Sequence, residues 1–526
     1  MKLRKALVSS LLLAAVTVLT PVAASASWTP HTPIITRGAW TVYHHDNAHT
    51  GYDPSLGQVQ HIQTGWVSPT MDAQVYASPL VYGGIVYAAT LNNTVYAFNQ
   101  IDGSLIWTNH LRSPETGGWQ CGNISQAGIL GSPVIDPATS RIYVATLDGT
   151  DDKYRLEGLR LSDGFEQVNT VITTPVGGFD WTIEQERGAL AVANGYVYVP
   201  FGGRAGDCGS YHGYVFAVPT DGSAVTHYYQ TPGQGMGIWS GGGVVIDDSS
   251  GKVFVTTGNG TGTGCDANND GTAKFENDAV VRLSSTLAHE DAFYPEDWQS
   301  NWCANDEDLG SASAVLISPT LLFASGKWGT GFLVDPASLG GMGGQLFPAA
   351  HTDTADTCLG NNSDATFGSF AYAAPYIYVE CESRGLVGLF TNPTTPSFSV
   401  CDPTCGAPDW NSGATNTFGP PIVAGGLVFA ATNGGLFAFR ASSGVPFYQS
   451  ASFGINRFVT PAEAGGQLFV PSHTVIRSFA LLTGTSQSLP GNPPPRPGGP
   501  LQVPPATPSG RQPVPQSSPV PPPLGR

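Results

Sequence analysis

Short apolar runs alternate with glycine-containing turns along most of this chain. Ile85-Val86-Tyr87 and Val95-Tyr96-Ala97-Phe98 are too short for helices, and their β-branched and aromatic residues favour strands. Gly83-Gly84 and Asp102-Gly103 stand between the runs and supply residues that take positive φ readily, as tight hairpins require. The pattern predicts a meander: an inner strand, two middle strands, and an outer strand carrying an aromatic. One such sheet cannot bury both of its faces. Packing copies face to face around an axis covers both and shortens the exposed edges.

The unit recurs. Residues 78–107 read SPLVYGGIVYAATLNNTVYAFNQIDGSLIW, and residues 420–448 read PPIVAGGLVFAATNGGLFAFRASSGVPFY. Pro79 matches Pro421, Gly83-Gly84 match Gly425-Gly426, Gly103 matches Gly444, and Trp107 matches Tyr448. Self-similarity at this distance marks a repeated structural unit. Weaker copies begin at Ser132, Gly188, Gly241, Ser311, Ser369 and Thr460, which makes eight. The eighth stops after Gly484 without an outer aromatic strand, whereas Gly65-Trp66-Val67-Ser68 resembles an outer strand with no sheet before it. The expected fold is therefore all-β: an eight-bladed β-propeller of four-stranded antiparallel blades, its ring closed by the N-terminal strand.

The ends read differently. Lys2, Arg4 and Lys5 precede the apolar stretch Ala6–Leu19, and Ala24-Ser25-Ala26 suits cleavage, so residues 1–26 read as a secretory signal. That stretch is short of the ~20 residues of a membrane span, and no later stretch is apolar enough. Residues 27–484 hold the repeats. Proline dominates residues 485–526, which predicts an extended, solvated tail. The expected location is secreted or extracytoplasmic, with cleavage near Ala26. A net charge of −17 argues against nucleic acid and anionic membrane surfaces as partners. Eight cysteines in an exported chain predict disulfides. Their pairing is open, Cys401–Cys405 being the simplest local pair. No CxxCH sequence is present to attach haem.

Several phrases carry a family resemblance: the blade phrase VYAAT…VYAFN…DGSLIW, CGNISQAGILGSPVID at Cys121, YHGYVFAV at Tyr211, GIWSGGGVVID at Gly237, VFVTTGNG at Val253, DEDLGSASAVL at Asp306 and GKWGTGFLVDP at Gly326. From about Trp40 to Gly484 the chain resembles the quinoprotein alcohol dehydrogenase-like β-propellers, named for their pyrroloquinoline quinone (PQQ) repeats. The resemblance implies PQQ over the ring axis with a calcium ion against it. A metal polarises the quinone carbonyl, and an aspartate removes the alcohol proton. Carried over, Asn259 fits the asparagine metal ligand, and Asp306 or Asp308 the catalytic or metal-binding aspartate. Lys327 and Arg187 fit cations beside the quinone, and Trp239 a cofactor-contacting aromatic. Glu184 and Glu186 lie only near the place of a third metal ligand. The chain departs from the family's enzymes in lacking adjacent cysteines and in placing Val244-Val245 where a stacking tryptophan follows the glycine run.

A second metal signal is independent of the family. Asp266, Asn268 and Asp270 alternate and Gly271 follows, as in the first half of a calcium loop, although Asn277 stands where such a loop ends in glutamate. Adjacent His44 and His45 would point to opposite faces of a strand and could not easily share an ion, so they read as structural or surface residues. Trp40, Trp66, Trp107 and Trp119 read as core or blade-to-blade packing. Two functions follow as expectations. One is a PQQ- and calcium-dependent dehydrogenase of alcohols or sugars. The other is a cofactor-free propeller that binds a protein or glycan at the cell envelope. The chain is expected to be a monomer.

Overall fold

The computed structural model describes residues 38–175, 177–260, 276–302, 306–348, 356–358, 364–382, 384–399, 409–413 and 418–484. The signal and tail expectations, the Asp266–Asp270 loop, and Cys265, Cys303, Cys401 and Cys405 lie outside them. The described residues form eight antiparallel-cored sheets, one for each repeat in the sequence. Blade 1 runs Leu80–Tyr82, Ile85–Thr90, Thr94–Asn99, Leu105–His110 from axis to rim. The inner strands of blades 2 to 8 are Val134–Asp136, Ala191–Ala193, Val245–Asp247, Val315–Ser318, Ala371–Ala373, Ile422–Ala424 and Ala462–Ala464. From blade 1 to blade 7 each inner strand lies beside the next, and Ala462–Ala464 lies beside Leu80–Tyr82, which returns the last blade to the first. Among the described residues the helical turns are Trp298–Trp302 and Leu309–Ser311.

The two clear repeats fold alike because their turns do. Gly83 and Gly84 have φ of 61° and 80°, and Gly425 and Gly426 have 54° and 77°. A side chain would be strained at each. The four-stranded pattern varies. Blade 5 shows three described strands, and blades 3, 4, 6 and 7 carry an added strand each. Blade 8 takes its outer strand from the N-terminal side: Val59–Val67 pairs antiparallel with Val475–Thr483, from Val59 opposite Thr483 to Val67 opposite Arg477.

Blades are joined by side chains that donate to the turn of the next blade. Trp107 Nε1 and Tyr87 Oη both donate to the Leu161 carbonyl, at 3.0 and 3.2 Å. Trp410 Nε1 and Tyr378 Oη do the same at Ala441, at 2.9 and 3.3 Å. Trp66 Nε1 donates to Gln100 O at 2.9 Å, linking blade 8 to blade 1. Each ring also fills space between two sheets, so burial and a net hydrogen bond of about 1 kcal/mol act together.

The shaft is lined by a strap, residues 40–51. An inner strand would otherwise leave one row of backbone groups unpaired. The strap answers them in ring order. Trp40 and Val81 exchange hydrogen bonds, and the N–H groups of Ile135, Ile246, Leu316, Tyr372 and Val423 donate to Thr41, Asn47, Ala48, Thr50 and Gly51 at 2.7–2.9 Å. Asn47 Nδ2 reaches Val192 O of blade 3. His44 and His45 are therefore not on a strand. Both adopt left-handed turn conformations, φ 53° and 75°. His44 is fully buried, its Nδ1 against Phe370 O at 3.0 Å, and His45 Nδ1 lies 3.6 Å from Asp46.

Candidate functional site

The loops that enter the inner strands meet at one end of the shaft, the axial mouth. Five of the residues singled out in the sequence cluster on blades 4 and 5. Asp308 is the centre, placed at φ 22° just before the turn Leu309–Ser311. Its Oδ1 accepts from the Asn259 backbone N–H at 2.8 Å and from Trp239 Nε1 at 3.4 Å. Its Oδ2 lies 2.5 Å from Lys327 Nζ, which also binds Asp306 Oδ1 at 2.9 Å. The sixth residue, Arg187, approaches the same indole. Its guanidinium is 5.7 Å from the Trp239 ring centre, and Lys327 Nζ is 5.8 Å from it. Cations at these distances are attracted to the indole face.

The sequence did not single out the rest of the mouth. Asp278, fully buried at φ 52°, accepts from the Leu309 N–H at 3.3 Å. Arg457 stacks over Phe458 and Phe367 at 5.0 and 4.8 Å and pairs with Glu382 at 2.9 Å. Phe458 in turn faces Arg187 at 6.0 Å. Among these residues lies a partly open pocket of about 30 Å³, lined by Tyr43, Tyr76, Ser132, Arg187, Arg457 and Phe458 among others.

The electrostatics separate the acids. Burial, then the Asp308 charge, pushes Asp278 well above the usual carboxylate range, so it is held protonated. Asp306 is pushed up to about 6 by burial and then by Asp308. Its side chain is nevertheless 75% exposed, so solvent screens both effects and the group exchanges protons freely. Burial alone would lower the Lys327 ammonium, but Asp308 and Asp306 outweigh it and raise it above its ordinary value. Burial, then Arg457, lowers Arg187. Among the described residues two disulfides brace the surrounding loops. Cys121–Cys208 ties down the loop bearing Asp207 and Tyr211, which bond at 2.8 Å. Cys358–Cys381 sits beside Thr357, whose N–H binds Gly329 O near Lys327.

These contacts test the two groups that the resemblance implies. PQQ is a planar quinone bearing three carboxylates, and an indole face flanked by Arg187 and Lys327 fits that chemistry. The residues that would hold it are those of the mouth. Calcium does not fit. It takes six to eight oxygens, whereas Asp306 and Asp308 already share an ammonium. At ~4 Å and an effective dielectric of ~20, each unit of like charge costs about 4 kcal/mol, and a divalent ion doubles that.

A family profile described as outer membrane protein assembly factor BamB matches residues 22–146 and 63–204. Among solved structures, the chain is similar to the quinohemoprotein alcohol dehydrogenase of Comamonas testosteroni, with TM-score 0.61 and 16% identity over 88% of this chain and 82% of that one. It is also similar to a europium-containing methanol dehydrogenase, with TM-score 0.57 and 14% identity over 84% and 98%. BamB from Moraxella catarrhalis gives TM-score 0.50 and 12% identity over 81% and 99%. Among curated proteins none matches. The profile covers residues 22–204 of the 526, and the solved structures establish the fold: a β-propeller like that of the quinoprotein alcohol dehydrogenases.

Proposed function

We propose that this is an exported propeller whose axial mouth binds a flat, multiply anionic small molecule, PQQ being the candidate that its superfamily supplies. The observation that carries the reading is the convergence of Arg187, Lys327 and Arg457 on the aromatic faces of Trp239, Phe367 and Phe458. Arginine offers a planar fork for carboxylates and stacks on ring systems. Trp239 supplies the indole face, and Lys327 a point donor. When bound, PQQ supplies two-electron redox chemistry. Asp306 is then the carboxylate exposed enough to take a proton from an alcohol or sugar, whereas Asp308 has its oxygens engaged by three donors.

Titration of the purified protein with PQQ, followed by tryptophan fluorescence, tests this. Saturable quenching is expected, much reduced in Trp239→Phe and weakened at least tenfold in Arg187→Gln. Undiminished quenching in both variants, or none in the wild type, would reject the site. A second reading, a scaffold for an envelope protein or glycan, is favoured by exposed Val67, Leu105, Ile106 and Phe165 on the rims of blades 8, 1 and 2. Failure of PQQ to bind would leave that reading standing.

A further inference from the structure

We infer that the Lys327 ammonium is the resident cation of the Asp306–Asp308 pair, so that this mouth works without a divalent metal. The lysine is held at both ends. Its N–H donates to Asp308 O at 3.2 Å, and its carbonyl accepts from Ala365 at 2.7 Å. Its Nζ touches one oxygen of each aspartate, and its side chain is only 12% exposed. The remaining Asp308 oxygen is taken by Asn259 and Trp239. Both Asp308 oxygens are thus engaged, and Asp306 Oδ1 is held by the same ammonium. Among the described residues no group of three or more histidines, cysteines, aspartates or glutamates is arranged to hold an ion.

The third acid, Asp278, is fully buried, and burial and then the Asp308 charge push its carboxyl upward. Lys327 places one positive charge in contact with both carboxylates of the Asp306–Asp308 pair. With it gone they would stand uncompensated next to a third oxygen donor set, which is what hard cations select. The lysine thus decides between a metal centre and an ammonium-bonded one. It offers a ligand a charged hydrogen-bond donor where a metal would offer a Lewis acid. This inference does not depend on what the mouth binds.

Terbium(III) luminescence sensitised by Trp239 tests it on the full chain after EDTA treatment and buffer exchange. Wild-type protein is expected to give no signal that depends on both Trp239 and Asp308. Lys327→Ala and Lys327→Gln are expected to gain a saturable signal at least tenfold above wild type, lost again on adding Asp308→Asn or Trp239→Phe, and a melting temperature that rises with calcium. A variant that folds only when calcium is added supports the inference equally. A Trp239- and Asp308-dependent signal already present in wild type would overturn it. So would two lysine variants that gain no signal, whether folded or not.

Discussion

A Cβ at position 258 would stand 2.2 Å from Asp308 Oδ1 and 2.8 Å from the Trp239 indole nitrogen. Gly258 is therefore the residue that lets the carboxylate reach the tryptophan. Gly258→Ala is expected to push Asp308 aside, weaken PQQ quenching at least tenfold, and cost about 1–3 kcal/mol of stability by overpacking. Denaturant melts and the fluorescence titration check the two effects separately. Buried histidines set a second expectation. Burial lowers His44 to about 3 and His49 to about 4, so the native state keeps them neutral where the unfolded chain protonates. Stability from this source is complete above pH ~6.5 and falls as pH drops toward 4, by up to about 1.4 kcal/mol per unit per group. Burial also raises Glu186 to about 8, which acts the other way: stability is lost as pH rises from about 4.5 to 8. Comparing His49→Asn with wild type isolates the first effect, and the acid limb of the variant is expected to be shallower. An unchanged acid limb would remove His49 from the account.

The elements that join blades make the next test. Trp107 is buried, and its indole bonds across to blade 2. Trp107→Ala removes both the ring and the donor and is expected to cost about 3–5 kcal/mol. Trp107→Phe keeps most of the packing and should recover more than half. Equal losses in urea melts would show that the hydrogen bond, not the ring, holds the blades. Much of this level was legible in the sequence, because a meander of four strands repeats its glycines and aromatics at fixed places. The mouth was half legible. The residues two places before each repeat begins are Tyr76, Leu130, Glu186, Trp239, Leu309, Phe367, Phe418 and Phe458. Aligning the repeats two residues further upstream would have found Phe367 and Phe458 beside Trp239. Asp278 gave no such signal, being one acid in a polar phrase. The strap was not legible, since its backbone carbonyls do the bonding and its side chains carry no period. His44 and His45 misled because a turn with positive φ at both was not expected of histidine.

At the scale of the whole molecule, long-range ties decide how firmly the mouth is held. The Cys121–Cys208 bridge spans 87 residues and links the loop before blade 2 to the loop within blade 3. Replacing both by serine is expected to lower stability by about 2–5 kcal/mol. It should also loosen Asp207 and Tyr211, so PQQ affinity should fall while the far-ultraviolet spectrum of the sheets persists. Chain distance is why this pairing could not be read from the sequence. The strand Val59–Val67 places the two ends of the described ring in one sheet. A chain starting after Val67 is expected not to fold cooperatively, as judged by a broadened thermal transition.

Calorimetric titration of PQQ into the full-length protein in excess EDTA tests the central claim most directly. Saturable binding of one PQQ per chain, unchanged by replacing EDTA with calcium, is the expected result. Binding that appears only when calcium is added would contradict the lysine-held mouth, and no binding in either buffer would contradict the anionic-ligand site itself.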